Sequence, residues 1–289
     1  LHARVREALS DLRKRFLIVL DDVWWAEDVE PLLVDGPQCR VLITGREFHI
    51  AEKLGIEEDV IEIGSMTREE SLHLIRARVG EELWDPEAAN AFATQVEDLP
   101  IALELGAAVV RRQSRHHRRG WSFLLEKLRE GWESADILKL PKGERRQQSL
   151  RRTLDVSYQS LSEAQQRLLR ALGVYRSGAG FSVEDAAYLL DERNSERLEE
   201  ALCDLVDLSL LQQFVNTRGI RLYRFHPVVG QYAADRLRER GEIARYAERH
   251  VAMYLRRLDK ARGYVNSLQR GEVFRQVFEP AWPHIVDAR

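Results

Sequence analysis

The chain has 289 residues, 44% of them hydrophobic and 31% charged, with a formal net charge of -3 at pH 7. That fits a soluble, helix-rich globular protein of two or three domains, with no general affinity for nucleic acid. Cys39 and Cys203 are its only cysteines, too far apart for metal-ligand spacing, which argues against a disulfide framework or zinc site and favours a reducing cytosol.

The opening residues carry Val5, Ala8, Leu9 and Leu12 at helical spacing, and the chain begins on Leu1 rather than Met. The last residues, Ala288 and Arg289, follow no cap or turn signal. Both ends are therefore expected to be cuts in a longer protein. No apolar run approaches the ~20 residues of a membrane span.

Arg15 leads into Phe16-Leu17-Ile18-Val19-Leu20, and that run closes on Asp21-Asp22-Val23-Trp24. A short run of branched and aromatic residues reads as a strand buried on both faces. Paired carboxylates at its C-terminal end sit where open α/β sheets bind ligands. A buried strand would not normally end in paired anions unless a cation or a proton transfer uses them. A phosphate-binding partner loop would read G-x-x-x-x-G-K followed by Ser or Thr. The chain contains no Gly-Lys pair, so that loop is expected upstream of residue 1.

A second strand is predicted at Cys39–Thr44, closed by Gly45-Arg46, after a linker with Pro31, Gly36 and Pro37. Val60–Ile63 is a third apolar candidate. Thr67 and Glu70 form a capping box that opens a helix with Leu72, Ile75 and Val79 on one face. Strands alternating with helices indicate a parallel sheet.

From residue 81 the signals are helical. Asp85-Pro86 starts one helix, Asp98-Leu99-Pro100 interrupts, and a second helix follows from Ile101. Trp121, Leu124, Leu125 and Leu128 mark a third. The tract Arg111–Arg119 reads as a solvated helix end. Residues 141–152 are polar and basic and read as a linker. Helices are predicted near 153–160, 162–173, 182–190 and 195–208. A hairpin over Leu210–Val215 and Ile220–Phe225 comes next, then a helix from Val228. Short helices plus a hairpin describe a winged-helix domain. Its candidate recognition helix, Ser195–Asp207, sets Glu196, Glu199, Glu200, Asp204 and Asp207 against Arg197 alone. That balance argues against direct DNA binding, because phosphate neutralisation dominates affinity.

These motifs form an ordered set that resembles the NB-ARC group of STAND P-loop NTPases, which includes plant disease-resistance proteins, apoptotic protease-activating factors and many bacterial regulators. The family's pattern runs P-loop, Walker B, sensor strand, GLPL, winged helix, MHD. Here RFLIVLDDVW resembles Walker B and CRVLITGR the sensor strand. DLPIALELGAAVV resembles GLPL, with Asp98 for the first Gly and Ile101 for the last Leu. TLDVSYQSLSEAQQRLLRAL resembles the start of the winged helix. FHPVVGQYAADRL resembles MHD, with Phe225 for Met, His226 kept and Pro227 for Asp.

The resemblance implies a fold that is α/β plus mainly α. Residues 1–80 would form the rear half of the nucleotide-binding parallel sheet, 81–140 a small helical domain, 141–240 the winged helix and 241–289 the start of a helical arm. It implies that Asp21 holds Mg²⁺, Asp22 orients or activates the attacking water and Arg46 senses the γ-phosphate. Leu99 and Pro100 would pack on the adenine, and His226 would reach the β-phosphate of ADP. The implied function is a cytoplasmic ADP/ATP switch: ADP holds the closed state, and ATP exchange lets copies of the protein assemble and engage effector or sensor domains. The intact protein would be a slow ATPase, while this chain, without the phosphate loop, is expected to be inactive alone. A nucleotide-controlled transcriptional regulator and a nucleotide-blind scaffold are the alternatives.

Overall fold

The structure is a computed structural model that describes residues 15–33, 39–45, 47–63, 66–117, 119–130, 142–175, 180–216 and 219–265. The chain divides into two compact units, residues 1–64 and 65–289. The first holds a small parallel sheet and the second is mostly helical.

In the first unit, β1 (Phe16–Val23) pairs in parallel with β2 (Cys39–Gly45). Phe16 lies opposite Cys39, and the register holds to Leu20 opposite Ile43; the next pair is Val23 with Gly45. β1 therefore carries one more residue than β2 across that step. The extra residue is a β-bulge, and it falls at Asp21-Asp22. Bulges bend a strand and re-aim its side chains. Two short helices, α1 (Ala26–Val29) and α2 (Phe48–Leu54), bury Ala26, Val29 and Ile50.

Two sequence expectations fail here. The strand is not buried on both faces: Leu17 and Val19 are 59% and 53% exposed, while Phe16, Ile18 and Leu20 on the other face are half-buried. A parallel strand is enclosed only when crossover helices cover both faces, and the described helices of this unit leave one face open. Residues 60–63 form no strand either. Among the described residues their backbone has no ladder partner, and Ile61 and Ile63 are 84% and 89% exposed. The expected N-terminal helix lies outside the described residues.

In the second unit, α3 (Arg68–Val79) opens at the expected capping box. Thr67 Oγ1 accepts from the Glu70 N–H, and the Glu70 carboxylate accepts from the Thr67 N–H at 2.7 Å. α4 (Pro86–Gln95) starts at Asp85, whose side chain accepts from the Ala88 N–H. α5 (Pro100–His117) and α6 (Gly120–Glu130) complete the first helical group. Gly106 of α5 lies against the Phe92 ring, where an added Cβ would come within 2.1 Å of the ring tip. Gly106 thus leaves room for the Phe92 ring.

The linker expected over 141–152 is instead the first half of a helix, α7 (Lys142–Gln159). Tertiary partners override its polar composition. Arg145 and Arg146 sit 3.6 and 3.7 Å from the Glu97 carboxylate, and Ser149, Leu150 and Thr153 are buried. α8 (Glu163–Leu172), α9 (Val183–Leu190) and α10 (Ser195–Asp207) follow, with capping boxes at Ser162/Gln165 and Ser182/Asp185.

The hairpin β3 (Gln212–Val215) and β4 (Arg221–Arg224) is antiparallel, with Gln213 opposite Tyr223. Tyr175, Phe181 and Tyr223 stack beneath it, with centroids 4.8 and 6.1 Å apart. α11 (Pro227–Glu239) and α12 (Ile243–Val265) end the described chain. The Arg-rich end of α5 is not merely solvated: Arg111 donates to the Asp207 carbonyl, and Arg112 donates to Gln165 Oε1 at 2.7 Å. No helix among the described residues is long and apolar enough to cross a membrane.

Candidate functional site

Candidate residues gather at two places, one in each unit. In the first unit, Asp21 and Asp22 occupy the bulge at the C-terminal end of β1. Asp22 has φ 54°, in the left-handed region. Asp visits that region more readily than most side chains, yet it still costs of order 1 kcal/mol. A hydroxyl from the neighbouring strand fixes the turn. The Asp22 N–H donates to Thr44 Oγ1 at 2.9 Å, and the Thr44 hydroxyl donates to Asp21 Oδ1 at 2.5 Å. The Trp24 indole N–H donates to Asp22 Oδ2 at 3.3 Å. Both carboxylates are exposed to solvent.

The chemistry of this donor set suits Mg²⁺. That ion takes one or two carboxylates together with waters and substrate phosphates rather than a dedicated protein cage, and Thr44 bonds only one of the Asp21 oxygens, Oδ1. Thr44 escaped the sequence reading because a Thr in a strand is unremarkable; its role comes from register. Arg46, the expected γ-phosphate sensor, lies outside the described residues.

In the second unit, an open cleft of about 580 Å³ brings Pro100 and His226 together. Pro100 is exposed in the first turn of α5, where its missing N–H removes no helix bond. Leu99, expected beside it, packs against the hydrophobic core, as do Ile101 and Val206, and the latter two line the cleft with Leu211. The turn before α5 is held by Asp98, whose φ is 55° and whose carboxylate accepts from Arg68 at 2.9 Å. Arg68 also donates to the Asn90 carbonyl and to Thr94 Oγ1.

His226 is the N-cap residue of α11, and Pro227 fills the first helical position. Pro227, which stands where the resembled motif has Asp, therefore suits the helix start. His226 Nδ1 is buried without a hydrogen-bond partner among the described residues. Burial pushes the pKa of His226 down, and the nearby Glu104 carboxylate pulls it back up. Glu104 itself pairs with Arg78, Oε1 to Nη2, at 2.5 Å in the same cleft. The sequence offered no signal for Arg78 and Glu104, which come from α3 and α5 and meet only in the fold. An apolar wall beside a histidine and an arginine suits a ligand with a flat apolar part and an anionic part.

Comparison with known proteins follows the same lines. Residues 1–84 match the model of the NB-ARC domain. The regulatory protein AfsR of Streptomyces coelicolor is 32% identical over 224 residues, covering 76% of this chain and 21% of that protein. AfsR of Streptomyces griseus is 31% identical over the same length, with the same coverage. The ToMV resistance protein Tm-2(2) of Solanum lycopersicum is 22% identical over 260 residues, covering 78% of this chain and 28% of that protein. The chain thus spans only about a fifth to a quarter of the relatives it matches. On these matches the chain belongs to the NB-ARC group, with the domain model matched over residues 1–84.

Proposed function

We propose that this chain is part of a nucleotide-controlled regulatory switch in which ADP holds a closed state and exchange for ATP releases it to assemble with further copies of itself. The observation that carries the reading is the cleft of the second unit, where Pro100 and His226, far apart in sequence, meet beside the apolar side chains of Ile101, Val206 and Leu211 and the Arg78–Glu104 ion pair. The names of the relatives, two regulatory proteins and a resistance protein, support a regulatory role.

In this reading residues 1–80 belong to the nucleotide-binding domain, 81–140 to a helical domain, 141–240 to a winged helix built on the β3–β4 hairpin, and 241–289 to a helical arm. Asp21 would hold Mg²⁺, which supplies charge neutralisation at the phosphates. Asp22 would orient or activate the attacking water, Arg46 would meet the γ-phosphate, Leu99 and Pro100 would set the adenine wall, and His226 would hold the terminal phosphate of ADP. The switch would work in the cytoplasm. A ligand that contacts several domains stabilises their closed arrangement by about 4 kcal/mol at a thousandfold excess over Kd. Direct DNA reading by α10 is disfavoured by its acidic surface, where Glu199 already engages Arg221 at 2.6 Å.

Equilibrium binding of ADP and ATP to the full-length protein, with and without Mg²⁺, tests the proposal. Micromolar or tighter ADP binding that weakens in a Pro100→Ala or His226→Ala variant supports it. Absence of binding in the wild type contradicts it and leaves the scaffold reading.

A further inference from the structure

His226 faces two opposed influences in the cleft. Burial favours the neutral imidazole at neutral pH, while the Glu104 carboxylate favours the imidazolium. The charged side chains lining the cleft are Arg78 of α3 and Glu104 of α5; Ser209 and Gln212 line it without titrating near neutral pH. The first turn of α11 carries no acid. On the other elements packed against α11, Asp155 of α7 pairs with Arg236, Arg151 of α7 with Glu239, and Arg170 of α8 with Glu242 before α12. On β4, Arg224 is bonded to Gln212 and lies over the Phe214 ring.

We propose that Glu104 is a positioning residue that makes anion binding in this cleft proton-linked, with Arg78 holding the Glu104 carboxylate as counter-ion to a His226 imidazolium. The inference rests on the nucleotide reading above and adds to it. A phosphate-bearing ligand brings negative charge to His226 and raises its proton affinity. Binding then takes up a proton, and the ring becomes a donor at both nitrogens. Arg78 and Glu104 both line the cleft with His226, and their ion pair at 2.5 Å holds the Glu104 carboxylate there.

The sign follows from linkage. A histidine whose pKa is lower in the free than in the bound state gains affinity for the anion as pH falls through the interval between the two values. The gain is at most about tenfold per pH unit for a single proton.

The test is ADP titration calorimetry on the full-length protein between about pH 8 and pH 6. The wild type is expected to bind more tightly toward pH 6, with proton uptake read from buffers of different ionisation enthalpy. Glu104→Gln keeps the shape of the side chain and removes its charge. It removes the charge that favours the imidazolium and is expected to displace the profile to lower pH. His226→Gln is expected to flatten the profile. A flat wild-type profile overturns the proposal while leaving nucleotide binding intact. A uniform loss in Glu104→Gln, with the shape of the profile unchanged, also overturns it, because a merely structural role would do that. Failure of the wild type to bind ADP at any pH overturns both this proposal and the nucleotide reading.

Discussion

At Asp22 the backbone and the side chain serve one turn. Its left-handed φ lifts the paired carboxylates out of the strand's alternation, and Thr44 pins them from the neighbouring strand. Backbone strain of this kind persists where surrounding structure over-determines it, and it points toward function. Asp22→Ala in the full-length protein is expected to abolish nucleotide turnover while leaving binding near wild type, because positioning the attacking water acts on the transition state. Single-turnover kinetics beside equilibrium binding separate the two effects. Thr44→Val removes both hydrogen bonds and should cost about 1–2 kcal/mol of local stability. The Mg²⁺-dependent part of nucleotide affinity should fall with it. His226→Ala is expected to speed ADP release roughly tenfold to a hundredfold, the equivalent of about 1.5–3 kcal/mol for one charge-assisted contact. An unchanged off-rate would remove His226 from the site.

Between α4 and α5, Asp98 plays two parts: it adopts φ 55° and it anchors Arg68. Two substitutions separate them. Asp98→Gly loses the ion pair but keeps the conformation without penalty, whereas Asp98→Ala loses the pair and keeps the strain. The difference in unfolding free energy between the two variants should be about 1 kcal/mol in favour of Gly. The α8–α11 contact makes another expectation. A Cβ at Gly173 would lie 2.7 Å from the Ala233 backbone, so Gly173→Ala should destabilise by about 1–3 kcal/mol in denaturant unfolding. The legible parts of the fold were those with local causes. Capping boxes at Thr67, Ser162 and Ser182 and the Asp85-Pro86 start are written in adjacent residues, and each helix begins where they indicate. The illegible parts have distant causes. Nothing in residues 142–152 announces that Glu97 will meet Arg145 and Arg146 and that Leu150 will be buried. Likewise Val60–Ile63 has strand composition but no described partner for its ladder.

Across the molecule, the candidate site was legible where a motif occupies one short stretch and hidden where it is assembled. Asp21, Asp22, Pro100 and His226 could be named from sequence; Thr44, Arg78 and Glu104 could not, because each gains its role from a neighbour more than twenty residues away. Burial and Glu104 pull His226 in opposite directions, so the cleft's response to an anion is a property of three elements rather than of one histidine. A switch needs that sharing, since moving a population from mostly off to mostly on takes about 5.5 kcal/mol of differential affinity, more than one contact supplies. The most direct measurement is the nucleotide carried by the purified full-length protein, extracted with acid and quantified by chromatography. A closed state held by nucleotide predicts ADP near one per chain in the wild type and a marked loss in His226→Ala; protein that purifies without nucleotide and takes up none when ADP is added would contradict the switch.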